Sequence, residues 1–259
     1  MKAFLKKIYH RLIAPALHRL SGLGRRSRPT PEPLMYRVEL FQELLTLAGR
    51  DYFHRERILE IGPKDGLDSR RLAALKPQEL VMIDLPEKRS GNEAWLQEIT
   101  CPHQYIEANF MYMPNQAYEA LGTFRLIWCT GVLYHNTEQL RMLRKLYQLL
   151  DPGGYLVLES ATLRLTKSLR QGAYVEIHYP ETYRDTGTIT HLPTVNAIKA
   201  WLRMVGFQTT YDSNCYRAYN REVIGQRYAC ISQKTSEDDA DAYYQKSGLN
   251  PKYRFGDST

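Results

Sequence analysis

The stretch from Arg57 to Gly66, RILEIGPKDG, most constrains what this chain can fold into. Its apolar residues predict a buried strand over Ile58–Ile61, and its glycines predict a tight turn that leads into a short helix. Glycine allows another group to approach the backbone closely. A strand that runs into a glycine turn and a helix is typical of the first unit of a nucleotide-binding α/β sheet.

Strand-like and helix-like segments continue to alternate along the chain. Further strands are predicted over Glu79–Asp84, Gln104–Ala108, Phe124–Cys129, Tyr155–Glu159, Phe207–Tyr211 and Arg227–Ser232. Helices are predicted over 34–47, Ser69–Leu75, Asn92–Ile99, Thr137–Leu150 and Thr194–Gly206, with a turn at Asp151–Gly154. The alternation predicts an α/β fold with a doubly wound, mostly parallel seven-stranded sheet, in which the last two strands form a hairpin.

Polar side chains follow the ends of the second and third predicted strands. Asp84 stands 24 residues after Glu60, near the spacing at which an acid accepts hydrogen bonds from ribose hydroxyls. Asn109 and Phe110 follow the third strand, where an amide and an aromatic ring can bind an adenine. A polar turn and a core phenylalanine explain Asn109 and Phe110 equally well.

Four motifs carry a family resemblance. LEIGPKDG, LVMIDL, FRLIWCTGVLYHN and LDPGGYLVLES follow one another between about residues 55 and 232. In this order they resemble the class I S-adenosylmethionine-dependent methyltransferases, which implies a Rossmann-like methyltransferase fold and S-adenosylmethionine as cofactor. The cofactor-binding residues that the resemblance implies are Glu60, Gly62, Pro63, Lys64, Gly66, Asp84, Leu85, Asn109, Phe110, Thr130, Gly131 and Tyr134.

One residue departs from the family pattern. Lys64 occupies the position of the central glycine of the first motif. Its ammonium group could pair with the carboxylate of the methionine part of the cofactor, or it could be a solvated lysine in a loop.

A narrower resemblance concerns GVLYH and THLPTVNAIKAWLRMVGF. These segments are similar to the family that installs a carboxymethyl group on the wobble uridine of tRNA with carboxy-S-adenosylmethionine. The resemblance implies that Tyr134 contacts the extra carboxylate. The further Lys and Trp contacts of that family have no counterpart that we can place in Met1–Arg50, so we expect S-adenosylmethionine itself.

An aromatic insertion over 161–192 interrupts the alternation after the fifth strand. In this place it predicts a wall of the substrate pocket, with Tyr174, Glu176 and Tyr179 as substrate-binding residues. If the acceptor is a hydroxyl group, a base assists the removal of its proton. The candidate bases are His135, His178 and His191, although each also suits a structural role. No metal-ligand spacing occurs, and we predict no metal.

The positive charge of the chain is concentrated at one end. The whole chain carries a net charge of +7, and residues 1–30 contain eight Lys or Arg residues and no Asp or Glu. We predict a basic amphipathic helical arm and linker over 1–33, a methyltransferase domain over 34–233 and a polar tail over 234–259. The arm suits an anionic membrane surface or tRNA, and equally a helix docked on the domain.

The four cysteines form no C-x-x-C pair, which favours free thiols in a reducing compartment. We expect a cytoplasmic protein, with the arm as a candidate for peripheral contact with the inner membrane face. The leading functional hypothesis is an O-directed methyltransferase that acts on a small metabolite, sugar or glycolipid. The alternatives are a transferase that modifies the wobble uridine of tRNA and a non-catalytic protein that binds S-adenosylmethionine.

Overall fold

The computed structural model describes residues 33–86, 93–163, 172–179, 189–207, 209–217 and 227–235. The chain divides into two units, residues 1–35 and 36–259, and the first unit contains only three described residues. The predicted basic arm up to residue 32 and the predicted tail from residue 236 lie outside the described residues. The fold described below is therefore that of the second unit.

Strands and helices alternate through the described residues. The strands are β1 (Arg57–Ile61), β2 (Glu79–Asp84), β3 (His103–Glu107), β4 (Phe124–Thr130), β5 (Leu150–Ala161), β6 (Val175–His178), β7 (Thr190–Pro193), β8 (Thr209–Asp212) and β9 (Arg227–Gln233). The helices are α1 (Pro33–Ala48), α2 (Leu67–Ala73), α3 (Asn115–Leu121), α4 (Gln139–Gln148) and α5 (Val195–Val205). Short 3₁₀ turns cover Arg50–Phe53, Glu93–Glu98, Phe110–Tyr112 and Leu133–His135.

Seven strands form one sheet in the order β3-β2-β1-β4-β5-β9-β8. The first five strands of this order are parallel, and β9 runs antiparallel to both β5 and β8. The predicted mostly parallel sheet and its closing hairpin are confirmed. The order reverses between β1 and β4, and ligands of doubly wound sheets bind beside such a reversal, at the carboxyl ends of the strands.

Two apolar layers cover the sheet. One layer packs α4 and α5 against the sheet and includes Leu143 and Ile198, which are fully buried. The other layer packs α1 and α2 against the opposite face and includes Leu44 and Leu72. Burial of one such side chain contributes about 1.5–3 kcal/mol, so these two layers hold the strand ends in place.

Helix α5 begins and ends as its sequence predicts. The Thr194 hydroxyl accepts a hydrogen bond from the Ala197 amide at 3.2 Å, and Gly206 ends the helix with a left-handed φ of 118°. The turn predicted over Asp151–Gly154 is wrong, because strand β5 already begins at Leu150 and includes these residues. Its pairing with β4 shifts register at this point, and the segment is held by hydrogen bonds to Lys234.

The predicted insertion contains a second, two-stranded sheet. Strands β6 and β7 pair antiparallel, with Ile177 opposite His191. The side chain of Gln139 donates hydrogen bonds to the carbonyl oxygens of Leu133 at 3.1 Å and His191 at 2.8 Å. The small sheet is thus fastened to the turn that follows β4.

Candidate cofactor and substrate site

The loop between β1 and α2 turns through left-handed backbone conformations. Gly62 has a φ of 75°, Lys64 a φ of 54° and Gly66 a φ of 73°. A Cβ atom at Gly62 would lie 2.7 Å from a methyl group of Val132, and one at Gly66 would overlap the ring of Trp95. Both glycines are therefore required by the protein's own packing as well as by the turn.

Asp84 lies at the carboxyl end of β2, beside this loop. Its two carboxylate oxygens accept hydrogen bonds from the backbone amides of Lys64 at 3.2 Å and Leu85 at 2.8 Å. The geometry thus joins Asp84 to the glycine loop, and its role as a ribose-binding acid stays a prediction.

Asn109 and Phe110 follow β3 in a short 3₁₀ turn. The Asn109 side-chain oxygen accepts a hydrogen bond from the Met111 amide at 3.0 Å and so begins this turn. Phe110 is 5% exposed, and its ring packs edge-on against Tyr118 with centroids 5.4 Å apart. Contact of either residue with adenine stays a prediction, because both already have structural roles.

Glu60 is a buried acid on β1. The Ser69 hydroxyl donates a hydrogen bond of 2.6 Å to its carboxyl group. Burial raises the pKa of Glu60 to about 8, the negative charge of Asp68 adds to the rise, and the Ser69 hydrogen bond opposes it. The neutral, protonated form of Glu60 therefore predominates at pH 7.

Asp68, in the first turn of α2, is a buried carboxylate with many donors. Arg37 donates to it at 3.2 Å and Arg71 at 2.6 Å. The Trp128 indole donates at 3.1 Å and the Thr130 hydroxyl at 3.4 Å. Asp68 thus connects both arginines to the carboxyl end of β4.

A second buried carboxylate, Glu159, lies near the carboxyl end of β5. The Arg227 guanidinium group donates two hydrogen bonds to it, one of them at 2.9 Å, and Arg37 lies 3.8 Å away. Burial by itself lowers the pKa of Arg227, but Glu159 outweighs this effect and raises it. The charge cluster formed by Arg37, Asp68, Arg71, Glu159 and Arg227 has three cations and two anions.

The charge cluster borders the positions that follow β4. A Cβ atom at Gly131 would lie 2.8 Å from Arg37, so the left-handed glycine makes room for this guanidinium. The Arg227 guanidinium lies 5.6 Å from the ring centroid of Tyr134. The ring centroids of Tyr134 and His135 are 4.0 Å apart. Thr130, Gly131, Tyr134 and His135 therefore lie together at one edge of the candidate site.

The other two candidate bases belong to the small sheet. His178 lies on β6 with its Nε2 atom 3.3 Å from Glu176, and His191 lies on the neighbouring strand β7. Three predicted substrate-binding residues are largely exposed on β6 or beside it, namely Tyr174, Glu176 and Tyr179. Among the candidate bases, His135 alone lies at the carboxyl end of β4.

The prediction from sequence did not include the charge cluster. Glu159 follows the same rule as Asp84, since it lies near the carboxyl end of a parallel strand, and that rule could have found it. Asp68 lies instead in the first turn of helix α2. The two arginines that pair with them, Arg37 and Arg227, carry no comparable local signal.

Two further observations apply to the described part of the chain. Within it, no helix is both long and apolar enough to cross a membrane. The same residues contain no group of three or more His, Cys, Asp or Glu side chains arranged to hold a metal ion.

The chain is similar in sequence to several curated proteins that share one name. A protein named tRNA U34 carboxymethyltransferase from Desulforapulum autotrophicum is 30% identical over 160 residues, which is 60% of this chain and 45% of that protein. A protein of the same name from Trichodesmium erythraeum is 24% identical over 180 residues, 66% of this chain and 49% of that protein. The chain spans about half the length of the curated relatives it matches.

Solved structures show the same fold at low sequence identity. The N-methyltransferase NodS from Bradyrhizobium japonicum, in complex with S-adenosyl-L-homocysteine, has a TM-score of 0.52 and 15% identity over 81% of this chain and 90% of that one. An S-adenosylmethionine-dependent methyltransferase from Mesorhizobium loti has a TM-score of 0.53 and 15% identity over 70% of this chain and 92% of that one.

A family model for a methyltransferase domain matches residues 5–211, which is more than half of the chain. The seven-stranded, mostly parallel sheet agrees with this match. The chain belongs to the methyltransferase domain family.

Proposed function

We propose that this protein is an S-adenosylmethionine-dependent transferase that binds its cofactor at the carboxyl ends of β1, β2 and β4. The observation that carries the proposal is the position of Asp84, whose carboxylate is partly open to solvent at the carboxyl end of β2 and bonds to the backbone of the glycine loop. A diol offers two donors, so a ribose matches this carboxylate.

The donor chemistry of the site fits S-adenosylmethionine. Asp84 would hold the ribose, and the backbone from Gly62 to Gly66 would lie along the methionine part. Thr130 and Gly131 would border the sulfonium end. When bound, the cofactor supplies an electrophilic methyl group, and the protein contributes position and electrostatics.

The chain's own groups can assist at the reacting end. Asp68 holds the Thr130 hydroxyl and thereby orients the end of β4. His135 follows at the next turn and is the best placed of the candidate bases to accept a proton from an acceptor hydroxyl. We therefore infer transfer to oxygen with His135 as general base.

For the acceptor, we propose the hydroxyl group of a small metabolite, sugar or glycolipid. Outside residues 1–30 the chain has 27 basic and 28 acidic residues by sequence, so the domain lacks the strong positive charge of a polyanion-binding protein. The exposed tyrosines on and beside β6 offer a surface for sugar rings or apolar groups.

A second candidate is carboxymethyl transfer to the wobble uridine of tRNA. The relatives named tRNA U34 carboxymethyltransferase support it. The charge cluster supports it as well, because its one excess positive charge and the contact of Arg227 with Tyr134 suit a cofactor with an additional carboxylate. This candidate requires carboxy-S-adenosylmethionine as the cofactor, with residues 1–30 contacting RNA phosphates.

Calorimetry with the two cofactors separates these candidates. We expect S-adenosylmethionine to bind the full chain more tightly than carboxy-S-adenosylmethionine, and we expect His135→Asn to lower methyl transfer while leaving cofactor affinity unchanged. Tighter binding of the carboxylated cofactor, or its presence in the purified protein, would establish the second candidate. If neither cofactor binds, the proposal is wrong and so is the alternative of a non-catalytic binder.

A further inference from the structure

Two acids are buried at the junction of β1 and α2, and they have different neighbours. Glu60 is 1% exposed and Asp68 is 4% exposed. Asp68 accepts hydrogen bonds from Arg37 and Arg71, which neutralise its charge. Glu60 accepts one from the uncharged Ser69 hydroxyl, and no Lys or Arg in the described part of the chain forms an ion pair with it. A buried acid without a paired cation is most stable with a proton bound.

The strands on both sides of Glu60 supply no counter-charge. Glu60 lies opposite Met82 of β2 and Trp128 of β4, and neither of these side chains titrates. The Trp128 indole donates to Asp68 at 3.1 Å. Within the described residues, a proton is therefore the group that balances the charge of Glu60.

Charges beside the proposed cofactor position act on Glu60. Burial has the largest effect and raises its pKa; the negative charges of Asp68 on α2 and Asp84 on β2 also raise the pKa, and Arg37 on α1 lowers it. Asp84 is the proposed ribose acid, and Arg37 borders Gly131 beside the proposed sulfonium position. A ligand charge between these groups would therefore also act on Glu60.

We propose that Glu60 holds a proton in the absence of a cofactor and releases it when S-adenosylmethionine binds, so that its carboxylate balances the positive charge of the cofactor. The O–H bond of the carboxyl group breaks, its electron pair stays on the carboxylate oxygen, and the proton passes to the solvent. The inference rests on the proposed function, because it requires the cofactor at the carboxyl ends of β1, β2 and β4.

The sulfonium centre is the source of the effect. S-adenosylmethionine carries a sulfonium, an ammonium and one carboxylate group, which leaves one net positive charge. The demethylated product, S-adenosylhomocysteine, lacks the sulfonium charge and is neutral overall. A nearby cation favours the ionised form of an acid. Glu60 is therefore a residue that determines specificity, because its carboxylate favours the methyl donor over the product.

Calorimetry in buffers of different ionisation enthalpy counts the protons that are released. We expect the wild type to release about 0.5–0.9 proton per bound S-adenosylmethionine at pH 7, and much less per bound S-adenosylhomocysteine. This comparison of two ligands uses the wild-type chain alone, so it does not depend on the folding of a variant.

Substitution assigns the released proton to one residue. Glu60→Gln keeps a neutral side chain of similar shape, and it should release at least about 0.5 proton fewer than the wild type. It should also reduce the preference for S-adenosylmethionine over S-adenosylhomocysteine about threefold to tenfold between about pH 7 and 8. Glu79→Gln is the matched control, because Glu79 pairs with Arg57 at the opposite end of β2 and should not change the proton release.

Infrared difference spectroscopy identifies the group that ionises. A protonated carboxyl group has a carbonyl band that a carboxylate lacks. Binding of S-adenosylmethionine to the wild type should remove one such band and add carboxylate bands, and neither change should occur in Glu60→Gln. A purely structural role of Glu60 would leave these bands unchanged on binding.

Two results would overturn this coupling and leave the proposed function intact. The first is S-adenosylmethionine binding with the same proton release in the wild type and in Glu60→Gln. The second is equal proton release with S-adenosylmethionine and S-adenosylhomocysteine in the wild type. If neither ligand binds, the proposed function is wrong, and the coupling is wrong with it.

Discussion

The two halves of the carboxyl edge of the sheet are built differently. Beside β2, the Asp84 carboxylate accepts hydrogen bonds from the backbone amides of Lys64 and Leu85 and lies partly open to solvent. Beside β4 and β5, the carboxylates of Asp68 and Glu159 are 4% and 0% exposed and each is bonded to arginine. The acid of the first half is therefore accessible from solvent, whereas the acids of the second half are buried and paired with the protein's own cations.

The difference predicts that Asp84 contributes to ligand affinity, whereas Asp68 and Glu159 contribute to the stability of the fold. Loss of an acid that receives a ligand changes ligand affinity, whereas loss of an acid that neutralises buried cations leaves an uncompensated charge. Substitutions in the two halves therefore have different expected effects.

Glu159→Ala should lower the free energy of unfolding by about 3–5 kcal/mol, because Arg227 and Arg37 would remain partly buried beside a missing anion. Urea unfolding measures the change. Glu138→Ala is the control, since its ion pair with Arg141 is largely exposed and should contribute less than about 1 kcal/mol.

Removal of both partners sharpens this test. Glu159→Met combined with Arg227→Met should recover most of the lost stability, because no unpaired charge of that pair remains buried. If Glu159→Ala unfolds at the same urea concentration as Glu138→Ala, the charge cluster has no structural role.

Glu60 should make the protein less stable as pH rises. Its pKa is about 8 in the folded protein against 4.5 as the ordinary value, so the folded state holds a proton that the unfolded chain releases. The stabilisation is complete below about pH 4.5 and is lost towards pH 8. The free energy of unfolding of the wild type should fall between about pH 5 and 8. In Glu60→Gln this fall should be smaller by about 2–4 kcal/mol.

The hydroxyl group of Ser69 provides the matched test for Glu60. The Ser69 hydrogen bond lowers the pKa of Glu60, so Ser69→Ala should raise this pKa further. The free energy of unfolding should then decrease more steeply with pH than in the wild type. Identical pH profiles for the wild type, Glu60→Gln and Ser69→Ala would contradict the protonated state of Glu60.

Asp84→Ala should lower the affinity for S-adenosylmethionine about 100-fold, which corresponds to the loss of two hydrogen bonds to a charged acceptor. Calorimetry measures the affinity. Glu79→Ala changes an acid at the opposite end of the same strand, where it pairs with Arg57, and should leave the affinity unchanged. Equal affinities of the two variants for S-adenosylmethionine would show that Asp84 does not bind the cofactor.

Lys64→Gly should raise the free energy of unfolding by about 1 kcal/mol, because glycine adopts the left-handed φ of 54° without strain. If the ammonium group pairs with the cofactor carboxylate, the same variant should weaken S-adenosylmethionine binding about threefold to tenfold.

Lys76→Gly is the control for Lys64, since Lys76 also has a left-handed φ of 55° but lies at the opposite end of the sheet, before β2. It should stabilise the protein equally and leave cofactor affinity unchanged. Equal affinities for the two variants would show that Lys64 is a solvated loop residue.

Local patterns explain why much of the fold was predicted. Apolar runs marked the strands, Thr194 and Gly206 marked the ends of α5, and the glycines marked the loop after β1. The segment after Leu150 was predicted as a turn because its Pro-Gly-Gly composition resembles one. Its hydrogen bonds to Lys234, more than 80 residues away, draw it into β5.

The sequence by itself determined the α/β class and the position of Asp84 at the end of the second strand, because each depends on short-range periodicity and spacing. Tertiary structure decided which charges meet. Arg37 reaches Asp68 across 31 residues, and Arg227 reaches Glu159 across 68. No local pattern encodes such pairs, since they form only when helix α1 packs on the sheet and strand β9 pairs with β5.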